Sequence, residues 1–179
     1  MMLQDKVVVV AGVGPGLGRS IALAAAREGA DVVLAARTVA RLDEVAKEVD
    51  GLGRRALSVP TDLSDAGAQE HLAMAARDGF GRVDALVYNA LAMPPIKGLE
   101  KVPLEALNDA FNDNVVSALR LIRLFTPLLE ESKGSVTMVN SMVVRFSQLG
   151  MGPYKLTKAA LLAAAQSLAT EFGPRGIRV

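Results

Sequence analysis

The pentapeptide YKLTK, Tyr154 to Lys158, places a phenol four residues before an ammonium. On a helix, positions i and i+4 share one face, so the two groups stand side by side. A free phenol ionises at about 10, too high for a good base at neutral pH. A neighbouring ammonium favours the phenolate and lowers that value. Such a pair can give a proton to a carbonyl oxygen or take one from an alcohol. A Tyr four residues before a Lys also arises by chance on surface helices, so the pair gains meaning only from its company.

Two more polar residues could serve the same chemistry. Ser141 stands thirteen residues before Tyr154, directly after the apolar run SVTMVN (135–140). A hydroxyl there can hydrogen-bond a substrate oxygen as charge develops on it. Asn114 stands a further 27 residues upstream, in NDNVV, and a polar amide between Phe111 and Val115 is awkward in a helix. Taken singly, Ser141 reads as a turn residue and Asn114 as a surface amide. Rival chemistries lack their parts. There is no cysteine, and His71, in a mid-chain helical stretch, is the single histidine. Neither a serine-hydrolase set nor a Cys/His metal cluster can be assembled, and no catalytic metal is expected.

A second candidate site precedes these. The stretch AGVGPGLGRS (11–20) carries glycines at 12, 14, 16 and 18 between an apolar run and a helical pattern. The spacing is G-x-x-x-G-x-G through Gly12, Gly16 and Gly18, not G-x-G-x-x-G. Glycine permits a tight turn, close approach of the backbone to a pyrophosphate, and close packing of helix on sheet. The helix start then offers free amides and its dipole to phosphates. Gly12, Gly14, Gly16, Leu17 and Gly18 are therefore candidate nucleotide-binding residues; the alternative is an ordinary glycine-rich turn. After the second apolar run the chain reads LAARTVAR, with Ala36 and then Arg37 where an acid usually grips the ribose hydroxyls. A cation there suits a 2′-phosphate and favours NADP(H) over NAD(H), with Arg19 as a candidate helper. Otherwise both arginines are solvated surface charges. VPTDLSD (59–65) places Asp62 to bond an adenine amino group and Leu63 to cover the ring, with Asp65 as a helix cap. The competing reading makes the whole stretch a capping sequence.

These groups need a frame. Apolar runs at 6–11, 31–36, 55–60, 84–90 and 135–140 read as strands, apolar nearly throughout and so covered on both faces. Helical patterns at 17–28, 39–50, 65–78, about 103–131 and about 153–172 alternate with them. The order predicts an α/β fold, a doubly wound parallel sheet with right-handed crossovers, spanning residues 1–179 as a single domain. Ligands in such sheets bind beyond the carboxyl ends of the strands, where the candidate residues should gather.

Bulk composition excludes several partners. Lys and Arg number 20 against 19 Asp and Glu, so a net charge of +1 gives no reason to expect nucleic acid or an anionic membrane surface. Aromatics are 4% of residues, too few for a base-stacking platform. No apolar run approaches the roughly 18 residues that span a bilayer. The N-terminal MMLQDKVVVVAGVGPG has a Lys and then an apolar stretch, but that stretch is too short for a signal peptide and leads into glycines, so it reads as a strand. The absence of cysteine fits a reducing cytosol, and a cytoplasmic location is expected.

In this order and spacing, the chain resembles the short-chain dehydrogenase/reductase family. AGVGPGLG corresponds to the family's glycine motif, with Ala11 where Thr is common. YNAL (88–91) stands where the family has N-N-A-G; Asn89 and Ala90 remain near the cofactor, while Tyr88 and Leu91 replace the outer two. Asn114, Ser141, Tyr154 and Lys158 fall at the family's spacing. The resemblance implies a Rossmann-type fold and an NADP-preferring oxidoreductase that interconverts a carbonyl and a secondary alcohol. It implies that Tyr154 moves the proton, helped by the positive charge of a nicotinamide. It also implies that Lys158 holds the nicotinamide ribose and that Asn114 holds a water in a proton relay behind the lysine. Two other readings stay open. One is a non-catalytic nucleotide-binding sensor or scaffold with the same fold. The other is an NAD-linked sugar epimerase or dehydratase, whose last glycine normally falls one residue later than Gly18. Family members continue through a sixth strand, a Pro-Gly turn, a substrate loop and a seventh strand. The resemblance therefore implies a chain truncated at its C-terminus, which binds the adenine end of the cofactor better than it catalyses.

MVVRFSQLGMGP (142–153) should border the substrate. Met142, Val143, Val144, Phe146, Leu149 and Met151 favour a hydrophobic ketone or alcohol, such as an acyl chain, a steroid or a terpenoid. The helical stretches 104–131 and 158–172 are apolar on more than one face, so one face of each wants a partner. The resemblance implies pairing of these helices in a homodimer or homotetramer.

Overall fold

The computed structural model describes residues 1–179. Five strands, β1 (Val7–Ala11), β2 (Asp31–Ala36), β3 (Ala56–Pro60), β4 (Ala85–Tyr88) and β5 (Ser135–Met138), form one sheet in the order β3-β2-β1-β4-β5. Every pairing is parallel. β1 and β2 are buried along nearly their whole length because both faces are covered, as expected for a doubly wound sheet, whereas the edge strands β3 and β5 are only partly buried and carry Ser58, Ser135 and Thr137. Successive side chains alternate between the two layers. Val7, Val9 and Ala11 pack with α3 (Ala66–Phe80), α5 (Ser117–Ser132) and α6 (Gly152–Phe172). Val8 and Val10 pack with α1 (Leu17–Arg27) and α2 (Val39–Gly51). No helix is long and apolar enough to cross a membrane.

The chain builds outward from β1 through β2 to β3, then returns to place β4 and β5 on the other side of β1. The strand order reverses between β1 and β4, and a crevice opens there at the carboxyl ends. The last strand pairs are Ala11 with Tyr88 and Tyr88 with Met138. β4 and β5 therefore end two residues earlier than the apolar runs predict, which leaves Asn89 and Asn140 as strand-end polar residues facing the crevice region.

The single long helix expected at about 103–131 is instead three pieces. α4 (Leu104–Phe111) runs into a π turn at Asn112–Val116, and α5 follows. Within the turn the Ser117 amide bonds to Asn112 O, one residue further back than in an α-helix. The cause lies in Asn114. Its side chain reaches out of the helix to accept from Ala92 N at 3.0 Å and to donate to Ala92 O at 2.8 Å. A pattern of apolar spacing does not register one extra residue in a turn. The cap of α3 is as the sequence suggests: Asp65 accepts from Ala68 N at 2.7 Å.

Two buried carboxylates hold the edge of the sheet opposite the crevice. Asp84 takes Arg82 at 2.7 Å, Val7 N at 3.0 Å and Lys6 at 3.1 Å. Asp31 takes Arg54 at 2.9 Å and Arg55 at 2.8 Å. Burial pushes both carboxyls up, but these bonds and charges together outweigh it and hold both below the ordinary carboxylate range. Because the folded value is the lower one, their contribution is complete above the unfolded pKa of about 4 and is lost as pH falls through the folded value. In an acid titration followed by circular dichroism, the protein should lose stability below about pH 4. Asp84→Asn should be less stable at neutral pH by about 1.5–3 kcal/mol and lose less on acidification. A variant as stable as the parent at pH 7 would contradict this role.

Candidate active site

At the carboxyl ends of β1, β2, β3 and β4 lies a cleft of about 410 Å³. Its walls come from four strand ends: Gly12 to Pro15, Ala36 to Thr38 with Arg41, Thr61 to Ser64, and Tyr88 to Ala92, with Asp113 at one side. The glycine turn has the shape a pyrophosphate needs. Gly12 has φ +102°, and a Cβ there would come within 2.5 Å of Ala90 N. Gly14 and Gly16 have open space on the Cβ side. The Arg19 and Ser20 amides bond back into the turn, to Gly14 O and Gly16 O, whereas the Leu17 and Gly18 amides at the start of α1 find no backbone acceptor. A dinucleotide's phosphates fit this donor set.

The structure divides the remaining nucleotide candidates by role. Apart from its free amide, Gly18 is buried against the glycine turn; a Cβ there would collide with Gly12 O and come within 3.0 Å of Asn89 Nδ2. It lets α1 pack on the sheet. The Leu17 side chain is exposed and lies outside the cleft lining, so this residue has only its amide to offer. Asn89 donates from Nδ2 to Gly12 O at 2.8 Å and so braces the glycine turn, with Ala90 packed directly under Gly12. Leu63 lines the cleft from the core. Asp62 accepts from Ser64 N at 3.0 Å and Ser64 Oγ at 2.8 Å; these bonds hold its carboxyl below the usual range, against a small burial effect and with help from the Arg37 charge. It stays an ionised acceptor at the cleft mouth. Arg37 lines the cleft, whereas the Arg19 guanidinium is held at Glu48 of α2 and is not part of the cleft lining. Arg41, four residues beyond Arg37, lines the same wall. The spacing in LAARTVAR already carried that signal.

Beside the cleft is a smaller pocket of about 220 Å³, lined by Ser141, Met142, Val143, Phe146, Gln148, Met151 and Tyr154. Tyr154 lies in the first turn of α6, which Pro153 starts without wasting an amide. Ser141 follows β5, and its Oγ accepts from Val143 N at 3.2 Å, leaving the hydroxyl hydrogen free to donate. Lys158, one turn after Tyr154, is 4% exposed; its Nζ donates to Val139 O at 2.8 Å and stands 6.0 Å from the centre of the Tyr154 ring. Burial pulls the Lys158 ammonium below its ordinary pKa. The sequence reading missed Asn140. Its Oδ1 accepts from Ser141 N at 2.8 Å and its Nδ2 donates to Lys158 O at 3.1 Å, tying the serine to the helix that carries the other two groups. Asn114 is buried, and both of its amide hydrogens are occupied, by Ala92 O and by Ala110 O at 2.9 Å. Its side chain clamps the loop after β4.

The arrangement offers a proton donor and acceptor, a hydroxyl that can steady an oxygen, and a buried cation beneath them, next to a cleft that fits a dinucleotide. Comparison with known proteins points the same way. Residues 6–179 match the short chain dehydrogenase family. An uncharacterized oxidoreductase of Mycobacterium tuberculosis is 39% identical over 175 residues, which is 97% of this chain and 66% of that protein. Among solved structures, a 7 alpha-hydroxysteroid dehydrogenase complexed with NADH and 7-oxo glycochenodeoxycholic acid superposes with a TM-score of 0.93 at 30% identity, over 99% of this chain and 69% of that one. A carveol dehydrogenase from Mycobacterium avium in complex with NAD gives a TM-score of 0.94 at 26% identity, over 99% of this chain and 69% of that one. The chain thus spans about two thirds of the length of the proteins it matches.

Proposed function

The chain belongs to the short-chain dehydrogenase family, and on that premise we propose that it is an NADP-preferring oxidoreductase that interconverts a carbonyl and a secondary alcohol on a hydrophobic substrate. The observation that carries this reading is that Ser141 and Tyr154 line one apolar pocket with the buried Lys158 one turn behind the tyrosine. The hydride comes from or goes to a bound nicotinamide, the one part of the chemistry that side chains do not supply. Tyr154 gives its hydroxyl proton to the substrate oxygen during reduction and takes it back during oxidation. Ser141 donates to the same oxygen as negative charge gathers on it. Lys158 places a positive charge 6.0 Å from the centre of the Tyr154 ring and offers its ammonium to the ribose hydroxyls. Met142, Phe146 and Met151 give the pocket apolar walls that accept an apolar substrate body. A spectrophotometric screen of hydrophobic ketones with NADPH and with NADH tests the reading; tight nucleotide binding without turnover on any ketone would make the protein a sensor or scaffold instead.

The cofactor preference rests on Arg37 and Arg41, two cations on the cleft wall after β2 where no acid stands. NADH and NAD occupy the two solved relatives, which supports a nicotinamide nucleotide; the preference for the phosphorylated form is read from this chain's own arginines. Arg37→Ala should weaken NADPH binding about tenfold to a hundredfold, the worth of a charge-assisted contact to phosphate, and leave NADH nearly unchanged. Titrating both nucleotides into both proteins checks it, and equal affinities in the wild type would overturn the preference. The proposal extends to a single nucleotide-binding domain over residues 1–179. It includes a cytoplasmic location, supported by the absence of cysteine. It also includes a homodimer or homotetramer, supported by the apolar side chains that α4, the π turn and α6 leave exposed: Leu104, Val116, Leu156 and Leu162.

A further inference from the structure

Tyr88, which replaces the first asparagine of the family's N-N-A-G, is buried at the end of β4, and its hydroxyl lies 2.7 Å from Ser117 Oγ. Ser117 Oγ in turn lies 2.7 Å from Asp113 O. A hydroxyl carries one hydrogen, and a carbonyl can only accept. Asp113 O therefore takes its hydrogen from this pair of hydroxyls: Ser117 Oγ, at 2.7 Å, is placed to donate to it and to accept from Tyr88, whose own hydroxyl also stands 3.4 Å from Asp113 O. Asp113 O is the carbonyl that the π turn strips of its α-helical partner, because the Ser117 amide bonds Asn112 O instead. A carbonyl withdrawn in part from water and left without a donor is costly, and the two hydroxyls supply one. Burial, with the nearby Asp113 charge and against the bond to Ser117, keeps the Tyr88 phenol above its ordinary pKa and so protonated as the donor. The backbone of Ser117 is also held. Its carbonyl accepts from Gln69 Nε2 at 3.0 Å, and the same amide donates to Leu63 O at 2.6 Å on the floor of the nucleotide cleft.

We propose that Tyr88 and Ser117 are positioning residues that lock the π turn, so that Asn114 clamps the Ala92 backbone beside the cleft, and that Gln69 ties this clamp to the cleft floor at Leu63. Without the hydroxyl relay, the turn can relax toward the α-helical register, which gives Asp113 O an amide partner and draws Asn114 away from Ala92. The shape of the crevice wall between Ala90 and Ala92 then depends on this pair of hydroxyls.

Hydrogen exchange on the wild type, Tyr88→Phe, Ser117→Ala and the double variant tests this without reference to turnover, so its outcome is separate from that of the proposed reaction. The amides of Ala92 and of residues 112–117 should exchange about tenfold faster in each single variant, the scale of one lost net hydrogen bond. β2 and α2 should exchange as before, and the double variant should be no worse than the worse single one. Unchanged exchange at Ala92, a uniform rise across the sheet, or additive effects in the double variant would each overturn the proposal. If Ser117→Ala fails to fold, Tyr88→Phe, which keeps the ring and its packing, decides alone.

Discussion

Replacing Tyr154 by phenylalanine should abolish ketone reduction while leaving nucleotide affinity nearly unchanged. Positioned general acid–base catalysis contributes about 10²–10⁴-fold, and nothing else in the pocket can take over. Ser141 is the only other hydroxyl in the lining, and the remaining members are Met142, Val143, Phe146, Gln148 and Met151. None of these holds a proton that titrates near neutral pH. The Tyr154 ring lies in the smaller pocket and not in the cleft that fits the nucleotide, so a Kd for NADPH should not move with the loss of its hydroxyl. Steady-state kinetics and a nucleotide titration on the same preparation give both numbers. A Tyr154→Phe enzyme that keeps most of its kcat would remove the tyrosine from the proposed mechanism.

Lys158→Met should lose function and keep, or gain, stability. The ammonium is buried, its pKa is lowered by that burial, and one carbonyl, Val139 O at 2.8 Å, is its only hydrogen-bond acceptor. Where the folded pKa is below the unfolded value, the unfolded chain binds more protons, so the charge opposes folding at neutral pH. Methionine fills a similar volume without that charge. Thermal unfolding should therefore show an equal or higher Tm for Lys158→Met. Nucleotide affinity should fall about tenfold to a hundredfold, the worth of a charged donor to a ribose hydroxyl, and turnover should fall further because the nucleotide is no longer held in line with the reacting oxygen. A lower Tm with unchanged nucleotide affinity would make Lys158 a structural residue.

The parts of this molecule that were legible in the sequence are those whose physics is local. Strands covered on both faces must be apolar along their whole length, so VVVVA and DVVLAA announce themselves. The cap at Asp65 and the glycine spacing around Gly12 and Gly18 are equally local requirements. What escaped depends on partners distant in sequence. Arg19 stands where a phosphate ligand could use it, yet Glu48 on the next helix holds it. The π turn is set by Asn114 reaching back to Ala92, 22 residues away. Its only trace in the sequence is an amide set in an apolar helical pattern. Asn140 looked like the end of a strand, and its two hydrogen bonds, accepting from Ser141 N and donating to Lys158 O, emerge only when α6 folds back over β5. Tyr88 read as a departure from a motif, and its partner Ser117 lies 29 residues further on.

The central claim is hydride transfer to a carbonyl at the pocket shared by Ser141 and Tyr154. It is tested most directly with NADPH that carries deuterium at the nicotinamide carbon from which the hydride leaves. The protein would be given each of the two labelled stereoisomers together with a mixture of steroid, terpenoid and acyl ketones, and the alcohols formed would be analysed by mass spectrometry. The expected result is an alcohol with one deuterium on its carbinol carbon, from one stereoisomer of the label only, and no such product with Tyr154→Phe. Nucleotide that binds but yields no deuterated alcohol from any ketone would contradict the claim.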